Sequence, residues 1–185
     1  MSRYLFLFLM LFGFAAAATA QPGPNDPPQL DLALTFSTPV KSVSIHFGLD
    51  VRATDGHDDA AGLAEQPAMP PWSFDMEARF VRSNSTYTPR DYRFGDGSDV
   101  TVTHFLEFQK GSNDNNPLTI AWDLPPYATG VMKDVITGNF LNVPMAGAGS
   151  MEIADDGSGD PVITKLQMTI TYANIPDGIL PVELT

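Results

Sequence analysis

The residues best placed to do chemistry lie in FGLDVRATDGHDD, positions 47–59, where four carboxylates, a glycine and a histidine fall within ten residues. Asp50, Asp55 and Asp58 could offer hard oxygen ligands to calcium, with Gly56 letting the chain fold around the ion. Their spacing is not the alternating D-x-[DN]-x-[DN]-G of a known calcium loop, and a solvated acidic loop accounts for the same residues more simply. Calcium is the one cofactor these residues suggest. DDGSGD at 155–160 has the same composition, which its place between two strand patterns already explains as a turn.

Other chemistries find less support. Three histidines and no cysteine are too few and too scattered for a zinc site. His104 falls in the apolar phase of its strand, which predicts a hydrogen-bonded histidine at the core edge, whereas His46 lies in the polar phase and is expected to be exposed. There is no GxSxG elbow and no HExxH, and GAGSM at 147–151 is neither a phosphate loop nor a dinucleotide fingerprint. The chain is read as non-catalytic.

Aromatic rings could form a sugar-stacking platform, and Trp72, Tyr92 and Tyr127 are the candidates because they fall in or near loops. For Trp72, which follows Met69-Pro70-Pro71, the competing reading is a cover folded over a sheet edge. Trp122 is in phase with Leu118, Ile120 and Leu124 and is expected in the core.

These residues must be carried by strands. Leu30, Leu32, Leu34 and Phe36 alternate with polar or small residues, as do Val43, Ile45, Phe47 and Leu49. The same period of two returns at 74–80, 100–108, 118–124 and 166–172. Turn clusters GDGSD at 95–99, GSNDNNP at 111–117 and DDGSGD at 155–160 stand between them and read as hairpin tips. Sixteen prolines and fifteen glycines leave no helical window beyond a single turn around 58–65. Alternating strands imply antiparallel sheets with one wet face each. The fold class expected is therefore an all-β, antiparallel, immunoglobulin-like β-sandwich of about seven to nine strands, occupying residues 30–175 as one domain.

Residues 1–20, with Arg3, an apolar run from Leu5 to Phe14 and Ala18-Thr19-Ala20, have the layout of a signal peptide cleaved after Ala20. QPGPNDPPQ at 21–29 reads as a proline-rich linker. Loss of Arg3 moves the formal charge from −12 to −13 over the remaining 165 residues. So acidic a chain is a poor partner for nucleic acid or an anionic membrane surface. No later stretch is long and apolar enough to span a bilayer, so the protein is expected to be secreted or at the cell surface and not membrane-embedded.

FGLDVRATDGHDD, Glu65, MPPWSFDMEARF and PRDYRF together resemble a recurring N-terminal β-module of secreted bacterial proteins exported by the type nine secretion system. IPDGILPVELT at the end of the sequence resembles the lead-in to a fibronectin type III-like module, so 176–185 reads as a linker to a missing downstream module. The resemblance implies an extracellular structural or adhesive accessory module, whose partners would be cell-surface polysaccharide or other surface proteins. A carbohydrate-binding module of an extracellular enzyme is the alternative.

Overall fold

The computed structural model describes residues 22–58, 62–65, 72–82, 86–111, 114–136, 138, 140–155 and 160–180. Among them are eleven strands and no helix: β1 (Leu30–Ser37), β2 (Ser42–Asp50), β3 (Glu77–Val81), β4 (Tyr87–Thr88), β5 (Arg90–Phe94), β6 (Val100–Gln109), β7 (Leu118–Asp123), β8 (Ala128–Asp134), β9 (Asn142–Ala146), β10 (Ala148–Ile153) and β11 (Lys165–Tyr172). They form a five-stranded sheet ordered β10-β7-β1-β2-β5 and a six-stranded sheet ordered β4-β3-β6-β11-β8-β9. The protein is an all-β sandwich, with more strands than the seven to nine expected.

Period-two patterning sets which face of each strand is buried. Leu34, Phe36, Ile45 and Phe47 of the first sheet meet Phe80, Leu106, Leu166, Met168 and Ile170 of the second, and the Phe36 and Phe108 rings lie 5.2 Å apart between the layers. Trp122 is buried in this core, as its phase predicts. It packs over Gly149 on the neighbouring strand β10, where a Cβ would come within 2.8 Å of the indole. On the outer face of the second sheet, cross-strand threonines bond in pairs, Thr101 with Thr171 at 2.9 Å and Thr103 with Thr169 at 3.1 Å.

Several expectations need correction. The pairing is not wholly antiparallel, because β2 and β5 run parallel, His46 opposite Arg90 and Asp50 opposite Phe94. None of the three acidic turns is a hairpin tip. The turn at 95–99 leads from β5 to β6, 111–117 from β6 to β7 and 155–160 from β10 to β11, and each crosses from one sheet to the other. Turn residues report that the chain reverses, not which sheet receives it. At 74–80 the strand begins only at Glu77, and Phe74 is outside it and 87% exposed. The described part of 58–65 carries Gly62 and Ala64 at positive φ, which a helical turn does not allow.

Both margins assigned to linkers are packed where they are described. Arg52 donates to the carbonyls of Gly23, Asp26 and Pro27, while Gln29 accepts from the Val51 N–H at 2.9 Å. Gly62, at φ +71°, approaches so closely that a Cβ would lie 1.9 Å from the Pro24 carbonyl oxygen. At the other margin Leu180 is 2% exposed within the core cluster, with Ile175 and Ile179 packed against it. The sandwich thus takes in 176–180, which the linker reading left outside, while 181–185 lie outside the described residues.

Candidate functional site

The three candidate calcium ligands go to three different partners. Asp50 is fully buried: its carboxylate accepts from Arg52 Nε and Nη2 at 2.7 Å and from the Arg52 and Gln29 backbone N–H groups. Burial pushes its pKa up, but these bonds outweigh burial and hold it below the usual carboxylate range. Asp58 accepts from the Thr54 N–H and hydroxyl, both at 2.8 Å, and so closes its own loop. Asp55 is exposed and pairs with Arg93 at 3.0 Å. Among the described residues no group of three His, Asp or Glu side chains converges as a metal cage would; Asp59 lies outside them.

What gathers nearby is a buried ionic cluster. The segment 87–94 passes from β4 in one sheet to β5 in the other, bending at Pro89, with Thr88 Oγ1 accepting from the Arg90 N–H and donating to its carbonyl. Behind this closing segment Arg82, 5% exposed, donates to Glu65 and to the Gly56 carbonyl and lies 2.7 Å from Asp91 Oδ1. Glu65 also accepts the Tyr92 N–H at 2.6 Å and the Asp58 N–H at 3.2 Å. Asp91 Oδ2 accepts from His104 Nδ1 at 2.7 Å and from Arg93 at 3.2 Å. Asp91 Oδ1 faces Arg82 and Arg93 off the hydrogen-bond line, so that contact is charge against charge.

The two acids of this cluster are driven apart. Burial pushes Asp91 up, but His104, Arg82 and Arg93 prevail and hold it at about 2. Burial raises Glu65 to about 7, with Arg82 and the Tyr92 N–H opposing and Asp91 and Asp58 adding to the rise. Paired carboxylates of unequal pKa can serve acid–base chemistry. Here Glu65, Asp91 and His104 are all 0% exposed. The cluster is a lock that ties Gly56, Asp58 and Glu65 to β5 and β6.

The aromatic candidates do not share a surface. Tyr92 is 1% exposed, and its hydroxyl donates to Asp31, so it is no platform. Trp72 lies over the Arg79 guanidinium, 4.0 Å from ring centroid to carbon, with Tyr87 at its edge. Tyr127 borders a separate hollow with Pro126, Ala173, Asn174 and Pro176. His46 is half-buried against Asp31 at 3.0 Å. A cleft of about 500 Å³ opens beside the ionic cluster, between Val81, Thr103 and Phe105 on the outer sheet face and Asp55, Arg82 and Arg93.

The ends of the sandwich differ. The registers bring five connections to one end: 38–41, 72–76, 110–117, 135–141 and 154–164. Thr38 to Asp114 at 2.6 Å and the Lys41–Asp75 pair tie loops of the two sheets together there. Exposed Val40, Phe74, Ile136, Phe140 and Val162 all belong to this end, and so do all four lysines of the chain, Lys41, Lys110, Lys133 and Lys165. The described chain margins, near Leu30 and Tyr172, lie at the opposite end. The 135–141 loop is built on Asp134, 3% exposed, whose carboxylate accepts the N–H groups of Ile136, Gly138, Phe140 and Leu141 at 3.0–3.2 Å.

No protein-family model, curated protein or solved structure matches the chain. Geometry alone therefore bears on function. Sequence reasoning passed over both the ionic cluster and the Asp134 loop. A visible signal for the first was RDYRF at 90–94, three charges in a five-residue strand. For the second it was an aspartate directly before the apolar pair Val135-Ile136.

Proposed function

We propose that the protein is a secreted, cell-surface structural or adhesive module without catalytic function, which attaches through the loop end of its sandwich. The observation that carries this reading is concentration: exposed Val40, Phe74, Ile136, Phe140 and Val162 stand at the end remote from both described chain margins, with Phe94 and Phe105 exposed elsewhere. Apolar side chains gathered on exposed loops cost solubility unless a partner covers them. The leader-like residues 1–20 and the acidic composition support a site outside the cell. Burial of the Glu65–Asp91–His104 cluster supports a role without chemistry. Attachment of the purified chain to whole cells tests the proposal. Paired substitution of Ile136 and Phe140 by serine should abolish attachment with melting unchanged, and attachment indifferent to these residues would overturn it.

The cleft favours a second reading, a carbohydrate-binding module. Phe105, 46% exposed, offers a ring face with Thr103 and Arg93 beside it. Glycan-array binding lost in Phe105→Ala, and kept in Ile136→Ser, would favour this reading over attachment through the loops.

A further inference from the structure

We propose that the loop end, led by Ile136 and Phe140, seats in the interfacial region of a zwitterionic lipid surface; this rests on the adhesive reading above and names its partner. The decisive feature is the hydrogen bonding of the 135–141 loop. Ile136 and Phe140 are each 81% exposed, yet the N–H groups of Ile136, Gly138, Phe140 and Leu141 are spent on the buried carboxylate of Asp134. An apolar medium offers no hydrogen bonds, so backbone entering it must have its donors satisfied from within. A protein partner could supply those bonds itself. With these four donors met internally and Ile136 and Phe140 exposed, the described part of the loop is matched to the acyl boundary of a lipid surface.

Charge selects the kind of lipid. The chain carries −12 overall, which repels an anionic surface. Around the apolar tips the charges are of both signs: Lys41 pairs with Asp75 and Lys165 with Glu107. Lys110, 5% exposed, donates inward to the Asn116 carbonyl at 2.8 Å and stays out of this belt, to which half-buried Lys133 and exposed Asp160 contribute. Such a mixed belt complements headgroups that themselves carry both signs. The stems of Lys41, Lys133 and Lys165 can lie along the acyl boundary with their ammonium groups in water.

Cosedimentation of the purified full chain with phosphatidylcholine vesicles tests the proposal, alongside vesicles doped with phosphatidylglycerol. Binding to phosphatidylcholine is expected, unchanged by high salt and not strengthened by the anionic lipid. Ile136→Ser with Phe140→Ser should lower partitioning by at least about tenfold, since each substitution removes a buried apolar side chain from the complex. Phe94→Ser, at an exposed phenylalanine outside the five loops, should leave it unaltered. Absence of binding to phosphatidylcholine overturns the proposal, and so does binding that needs phosphatidylglycerol and disappears in salt. If the tip variants lose attachment to cells while the parent ignores vesicles, the partner is a protein or glycan. The lipid assignment then fails and the adhesive reading stands.

Discussion

Toward the end of the sandwich that holds the described chain margins lies a buried cluster of charges, whereas the opposite end gathers exposed hydrocarbon. At the first, Arg82, Glu65, Asp91 and His104 lie within the fold and pair charge against charge, and Arg52 with Asp50 straps down residues 23–29. At the second, a single buried carboxylate, Asp134, holds a loop whose apolar side chains face outward. In both places an ionised group is withdrawn from water and surrounded by donors. It fixes a loop to the scaffold in the one case and frees the loop's side chains for contact in the other.

The largest expected effect falls on the buried end. Arg82→Met should destabilise the protein by about 3–5 kcal/mol in a denaturant titration, because Glu65 and Asp91 would be left buried without their shared cation. A loss below about 1 kcal/mol, the ordinary size for an exposed pair, would mean that the lock does not bear on stability.

Asp134→Ala should cost less, about 1–3 kcal/mol, since the loop amides it abandons can turn to water. Hydrogen exchange should accelerate at Ile136, Phe140 and Leu141 and remain slow at Tyr92. Equal acceleration at both ends would show that they unfold as one unit and that the contrast between them is not energetic.

The pH dependence belongs to the buried cluster. Asp91 is lowered from 3.8 to about 2, so its contribution is complete above the unfolded value and is lost as pH falls between those values. Glu65 is raised from 4.5 to about 7, so its contribution is complete below 4.5 and is lost as pH rises toward and through 7. The melting temperature should therefore peak near pH 4–5 and decline toward neutrality, and Glu65→Gln should flatten the decline. A melting temperature that rises from pH 5 to pH 8 would show that Arg82 and the amide donors govern Glu65.

The smallest effect on stability is expected at the exposed end, where Ile136→Ser and Phe140→Ser should each stay within about 0.5 kcal/mol of the parent. A greater loss in thermal melts would place these side chains in contact with the fold and remove the basis for their role in attachment.

Local pattern made part of this legible. Alternation at 30–36, 43–49, 100–108, 118–124 and 166–172 marked the core faces, and the phase of Trp122 and His104 placed both rings inward. These features depend only on the two-residue repeat of an extended chain, which every short window contains. Five further strands, β4, β5, β8, β9 and β10, escaped notice because they are short, charged or glycine-rich and fit no clean alternation. The candidate site was less legible still. Asp50, Asp55 and Asp58 are near in sequence, but Arg52, Arg93 and Thr54 each draw one of them to a different place.

The sequence by itself determined an all-β chain, its inward faces and the positions of its major turns, because period and turn chemistry are properties of neighbouring residues. Only the tertiary structure decided that the acidic turns cross between sheets, that β5 lies parallel to β2, and that Glu65, Arg82, Asp91 and His104 meet. It likewise decided that loops far apart in the chain carry their apolar tips to one end. Strand pairing is a choice among distant partners, made by the fit of whole faces in the closed sandwich, and no local window contains that information.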